Sequence, residues 1–192
     1  MNYVINQSTE VQERAGKSTI PVGINDNCEM VSITKPTASN GKSYLCFLFK
    51  NEAGDELKHM EWDIDPARVN PKDGESQDDA VARRLNSMLI RLKHICTKFV
   101  PADQFSVQGA NWDQLCDNLI AFMGTRFVGT KVRLKVVYSW NDYSSLPNFA
   151  PFIESMTINP TALRITSYDK MEKESASAQA EVNSTDESDL PF

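Results

Sequence analysis

Two short turns between three apolar runs constrain this chain more than any other feature. Residues 28–35 are rich in β-branched side chains, and Glu29, Val31 and Ile33 alternate with Met30 and Ser32, the period of a strand. Pro36 ends that run. Residues 37–42 read as a hairpin loop in which Asn40 and Gly41 are the residues that tolerate the positive φ of a tight turn. Residues 43–50 are a second strand, apolar on both faces, as expected of a strand in a closed or covered sheet. Residues 51–55 turn again, and residues 56–63 are a third strand. Three strands joined in this way make a meander.

The pattern then changes period. After a polar loop at residues 65–75, Ser76 reads as an N-cap, with Asp79 three positions on, close to a capping box. Val81, Leu85, Met88, Leu89, Leu92, Ile95 and Phe99 recur at three- and four-residue steps, the stripe of one helix over residues 77–98. Asn111 opens a second helix with Trp112, Leu115, Cys116, Leu119, Ile120 and Met123 on its stripe, and Gly124 suits its C-terminal cap. Trp112 reads as core because it sits on that stripe.

Strand alternation returns at residues 131–138. Val132, Leu134, Val136 and Tyr138 point one way, and Lys131, Arg133 and Lys135 the other. An ordinary solvent face mixes charge signs. Three consecutive outward cations therefore read as the best basic patch in the chain. Residues 139–151 form a loop holding Trp140, Tyr143 and Phe149, residues 151–156 a short fifth strand, and residues 157–168 a further edge segment.

The sequence has 192 residues and 41% hydrophobic content, enough for one domain with tails. We assign residues 1–22 to a flexible N-terminal arm, 23–168 to the folded domain with its helical insert at 76–124, and 169–192 to a disordered acidic tail. No stretch is long and apolar enough to span a membrane, and residues 1–19 lack the apolar region of a signal peptide, so a cytoplasmic location is expected. Cys28, Cys46, Cys96 and Cys116 are far apart, as are His59 and His94, so no zinc site, metal or cofactor is expected, and the thiols read as reduced and mostly buried. The net charge of −6 is unevenly placed. From Asp169 onward there are seven acids and two bases, a net of −5, leaving 18 bases and 19 acids, a net of −1, in the body. The near-neutral body leaves room for a local basic face.

The tail ends in Ser184-Thr-Asp-Glu-Ser-Asp-Leu-Pro-Phe192. A polar segment has no folding reason to carry an exposed Phe. The tail reads either as a solvating segment whose last apolar residues are incidental or as a docking peptide whose acids steer toward a basic groove while Phe192 fills a pocket. Through Asp186, Glu187, Asp189, Leu190, Pro191 and Phe192 this ending resembles the C-terminal tip of single-stranded-DNA-binding proteins, of phage type in layout. It has Leu190 where Ile is usual, and Ser188 interrupts the acids. Five strands with helical material between the third and fourth also match the element order of an OB-fold, a five-stranded Greek-key barrel, here elaborated by two helices. The fold class expected is thus mainly β with a helical insert (α+β). An open α+β sheet with two helices on one face is the alternative.

The resemblance implies a protein that coats single-stranded DNA without strong sequence preference in replication, recombination and repair, and recruits partners through its tip. For a bacteriophage protein the compartment would be the host cytoplasm, and a homo-oligomer is left open. On the OB reading, Lys42 and Tyr44 flank the first loop, Lys58 and Trp62 share a face of the third strand with Met60, Lys131, Arg133 and Lys135 line the fourth strand, and Trp140 and Tyr143 sit in the following loop. Phe47 and Phe49 read as core, Trp62 as either core or platform, and Trp140 and Tyr143 as platforms. Arg83, Arg84, Arg91 and Lys93 read as a solvated helix face in preference to a DNA contact. No nucleophile–base pair, phosphate loop or paired-carboxylate cleft points to an enzyme. A protein-only adaptor of a replisome or virion is the rival reading.

Overall fold

Turn chemistry sets the first half of the molecule. In the computed structural model, which describes residues 18–173, β1 (Gly23–Thr34), β2 (Tyr44–Lys50) and β3 (Glu56–Trp62) form the expected antiparallel meander. Gly41 takes φ 77° in the first turn, which the amide of Gly41 closes onto the carbonyl of Ala38 at 2.9 Å. In the second turn the Asn51 side chain accepts from the Asp55 amide at 2.9 Å.

β1 is longer than the sequence suggests because it serves two partners. Its second half pairs with β2 and its first half with β4 (Lys131–Tyr138), with register shifts between Asn25 and Cys28 and between Met30 and Ser32. Such bulges bend a strand and increase its twist, which lets one strand leave one ladder and enter another. β4 also pairs with a two-residue β5 (Ser144–Ser145) and with β6 (Ile153–Ser155). The ladder path is β3-β2-β1-β4-β5, with β6 beside β4, so the described residues form a mainly β, antiparallel sheet with two helices, an α+β architecture.

The packed region extends past both expected boundaries. Ile20 is fully buried, and its amide donates to the Glu56 carbonyl at 3.3 Å, so residues 18–20 dock on the edge of β3. At the other end, the Tyr138 amide donates to the Lys170 carbonyl at 2.8 Å. Residues 157–168 contain no strand; they run as an irregular strap over β4.

The two helices fill the gap between β3 and β4. α1 (Gln77–Cys96) starts at Ser76, whose hydroxyl oxygen accepts from the Asp79 amide at 3.1 Å. α2 (Trp112–Met123) starts at Asn111, whose side chain accepts from the Gln114 amide at 2.9 Å, and Gly124 follows it at φ 46°. Met88, Leu92 and Ile95 of α1 and Cys116, Leu119 and Met123 of α2 join Phe47, Phe49, Leu57 and Leu134 in one core. Trp112 is buried as expected, its indole N–H donating to the Ser43 carbonyl at 3.2 Å.

One helix residue departs from the sequence reading. Arg91 does not face solvent. It is buried and meets Glu61 of β3 through two hydrogen bonds of 2.5 and 2.7 Å, while His59 lies 3.1 Å from the same carboxylate. Burial alone would raise the Glu61 carboxyl, but the bonds from Arg91 and His59 outweigh it and hold it below the ordinary glutamate range. A buried carboxylate on β3 requires a cation, and α1 supplies it. Arg83 is also engaged, with Glu75 at 2.7 Å.

Candidate nucleic-acid interface

β2 and β3 expose one face to solvent. On β3, Leu57, His59 and Glu61 are buried, and Lys58, Met60 and Trp62 point the other way, as their spacing predicts. On β2, Leu45, Phe47 and Phe49 fill the core, leaving Tyr44, Cys46, Leu48 and Lys50 on the outer side, where Cys46 is buried and the other three are half-buried. The register sets Tyr44 against Trp62 and Leu48 against Lys58. The Tyr44 and Trp62 rings stack, with centroids 4.5 Å apart and planes 25° from parallel. Trp62 is 39% exposed and Met60 48% exposed, so this strip is a surface and not part of the core. Lys58 stands exposed beside it with no ion partner among the described residues.

The strip adjoins a cleft of about 670 Å³, lined by Lys35, Lys42, Asp63, Asp65, Trp112 and Asp113 among others. Lys42 reaches Asp65 at 3.1 Å, and Lys35 bridges to Asp117 of α2 at 2.7 Å. The bond from Lys42 is the main reason the Asp65 carboxyl is held below its ordinary range. Exposed pairs of this kind contribute little and exchange readily, so Lys42 stays accessible at the mouth of the cleft.

Aromatic side chains also crown the β4–β5 hairpin. Trp140 is 83% and Tyr143 73% exposed, and Phe149 and Tyr168 are exposed as well. The turn that presents Trp140 is closed by the Ser139 amide donating to the Tyr143 carbonyl at 2.7 Å, with Asp142 at φ 61°. β5 approaches β3, so the two ends of the ladder path come near each other. Tyr168, nearly fully exposed, was not singled out by the sequence; its only signal is an aromatic set between Ser167 and Asp169.

The expected basic patch on β4 is not free. Lys131 is exposed and pairs with Glu52 at 2.9 Å. Arg133 is mostly covered, engaging Asp26 and Glu154 and donating to the Ile158 carbonyl at 3.2 Å. Lys135 is buried, with its ammonium 3.0 Å from Asp169 and 3.1 Å from the Arg164 carbonyl. The carboxyls of Glu154, on β6, and of Asp169, just past the strap, both titrate low. Burial pushes the Glu154 carboxyl up, but bonds from Thr161, Arg133 and the Ala162 amide more than offset this, and Thr166 and Lys135 do the same for Asp169. Alternation correctly put these three cations on the side of β4 away from the core. It could not show that Glu154 of β6 and Asp169, with carbonyls of the strap, engage two of them.

His94 and the buried thiols are structural. His94 of α1 accepts a hydrogen bond from the Phe152 amide at 3.3 Å and stacks edge-on to the Phe152 ring at 4.8 Å. Burial, helped by Lys98, depresses it to about 4, so it is neutral at pH 7. Cys96 and Cys116 are pushed up to about 12 by burial and are inert thiols. Among the described residues no group of His, Cys, Asp and Glu is placed to hold a metal ion, and no helix is long and apolar enough to cross a membrane. The tip residues Asp186, Glu187, Asp189, Leu190, Pro191 and Phe192 lie outside the described residues. No protein-family model matches the chain, and no curated protein matches it.

Proposed function

We propose that this chain binds single-stranded DNA without strong sequence preference, through the outer face of β2 and β3 and the β4–β5 hairpin. The observation that carries the reading is the solvent-facing Tyr44–Trp62 stack with Met60 and Lys58 beside it. Bases stack on such rings whatever their identity, each contact being worth about 1–3 kcal/mol, while lysines follow the phosphates. Duplex DNA hides its base faces and would gain only the phosphate term.

We read the sheet as an OB-type Greek-key barrel, partly open. Three features support this: β1 joins β2 to β4, β5 approaches β3, and the Phe152 ring beside β6 lies 6.3 Å from His59 of β3. On this reading the protein protects exposed strands in replication, recombination and repair, in the cytoplasm of a bacterial host if phage-encoded. It recruits replication and recombination proteins through the tip, and it is not an enzyme. A protein-only adaptor is favoured by one observation, the engagement of Arg133 and Lys135 by carboxylates.

Fluorescence anisotropy of a labelled oligo-dT at two salt concentrations separates the two. Tight, salt-sensitive binding, with a weaker response to duplex, is the expected result. No binding at either salt would overturn the proposal and leave the adaptor.

A further inference from the structure

α1 carries more apolar surface than the described residues cover. Leu85, Leu89 and Ile90 are exposed, although the first two lie on the helix's apolar stripe. Beside them, α1 and α2 with the connecting segment at residues 105–107 form a groove of about 300 Å³. It is lined by Leu89, Leu92, Phe105, Val107, Leu115 and Leu119, and by Lys93. The segment is pinned: Gly109 sits so close to α2 that a Cβ there would lie 2.3 Å from the Leu115 nitrogen. Lys93 is exposed and has no ion partner among the described residues. An apolar slot with one free cation fits an apolar side chain flanked by acids.

We propose that this groove holds residues 186–192 of the same chain, with Phe192 and Leu190 in the slot and Asp189 or Glu187 on Lys93. The 19 positions after Lys173 extend up to about 60 Å at 3.3–3.6 Å each, against a radius of gyration of about 15 Å for a domain of this size, so the segment reaches every part of the surface. Charge disfavours two other places. The larger cleft carries Asp63, Asp65 and Asp113, which repel an acidic peptide, and Arg133 and Lys135 are already paired. The α1–α2 groove offers apolar lining, a free cation and no lining carboxylate. A segment held there is withheld from other proteins until one competes for it. The inference does not depend on strand binding.

The test uses the full chain with Phe192→p-benzoyl-phenylalanine, irradiated at high dilution without DNA, and maps the cross-link by mass spectrometry. Cross-links within one chain to residues 85–93 or 105–119 are expected. Leu89→Glu, at an exposed position, should cut their yield about tenfold, since it removes roughly the burial energy of one leucine, and Lys93→Glu should lower it too. Cross-links confined to β2–β3, cross-links between two copies, no cross-link, or a yield unmoved by Leu89→Glu would each overturn the proposal. Because DNA is absent, any of these results leaves the strand-binding reading to stand or fall on oligo-dT.

Discussion

The outer faces of β3 and β4 begin alike and end differently. Each strand alternates apolar and polar residues, and each sends lysine to the side away from the core. Over β4 the chain returns as a strap, and Glu154 and Asp169 close on Arg133 and Lys135. Over β3 nothing among the described residues returns, and Trp62, Met60 and Lys58 meet water. Outward cations therefore have two fates. Those beneath a later segment hold the fold together, and those left open can meet a ligand.

The largest effect should come from breaking the covered side. Asp169→Ala leaves the Lys135 ammonium buried without its carboxylate and should cost about 3 kcal/mol in urea denaturation, with oligo-dT affinity of the folded protein unchanged. A cost below about 1 kcal/mol would mean that the strap does not hold β4. Next comes the open side. Trp62→Ala should weaken oligo-dT binding by about 2 kcal/mol, near thirtyfold, while stability falls by less than half that. Equal affinity for the variant and the parent would move the site off this face.

Stability should also respond to pH. His94 anchors the Phe152 amide beside β6 and titrates near 4 when folded, below the ordinary histidine value. The unfolded chain therefore takes up the proton first as pH falls. Stability should decline between about pH 6.5 and 4, by on the order of 1–2 kcal/mol after allowing for solvent screening. His94→Gln should flatten that window in thermal melts recorded across it. The depressed Glu61, Glu154 and Asp169 carboxyls add a loss only at lower pH, as each is protonated. The smallest effect should be electrostatic. Lys58→Ala should reduce the slope of log affinity against log salt by about 1, and Lys135→Met should leave it unchanged.

Much of the fold was legible because it is written locally. The Asn40-Gly41 turn, the Ser76 and Asn111 caps and the alternation of residues 131–138 each specify an element through neighbours a few positions away. The site was half legible for the same reason. Lys58, Met60 and Trp62 share a face by spacing alone, whereas the Tyr44–Trp62 stack also depends on the β2–β3 register. What escaped was long-range. Arg91 meets Glu61 across 30 positions and Lys135 meets Asp169 across 34, and no local pattern announces either pair. Asp169 counted toward an acidic tail by composition, yet it belongs to the packed domain.

The contrast between the two faces can be read in one titration. Amide chemical shifts of the full chain, followed by NMR as oligo-dT is added, report which surface the strand touches. Perturbations are expected at residues 42–44, 58–62 and 140–143, with little change along residues 131–136 and the strap. Perturbations concentrated on β4 and the strap, or none at saturating oligo-dT, would contradict this.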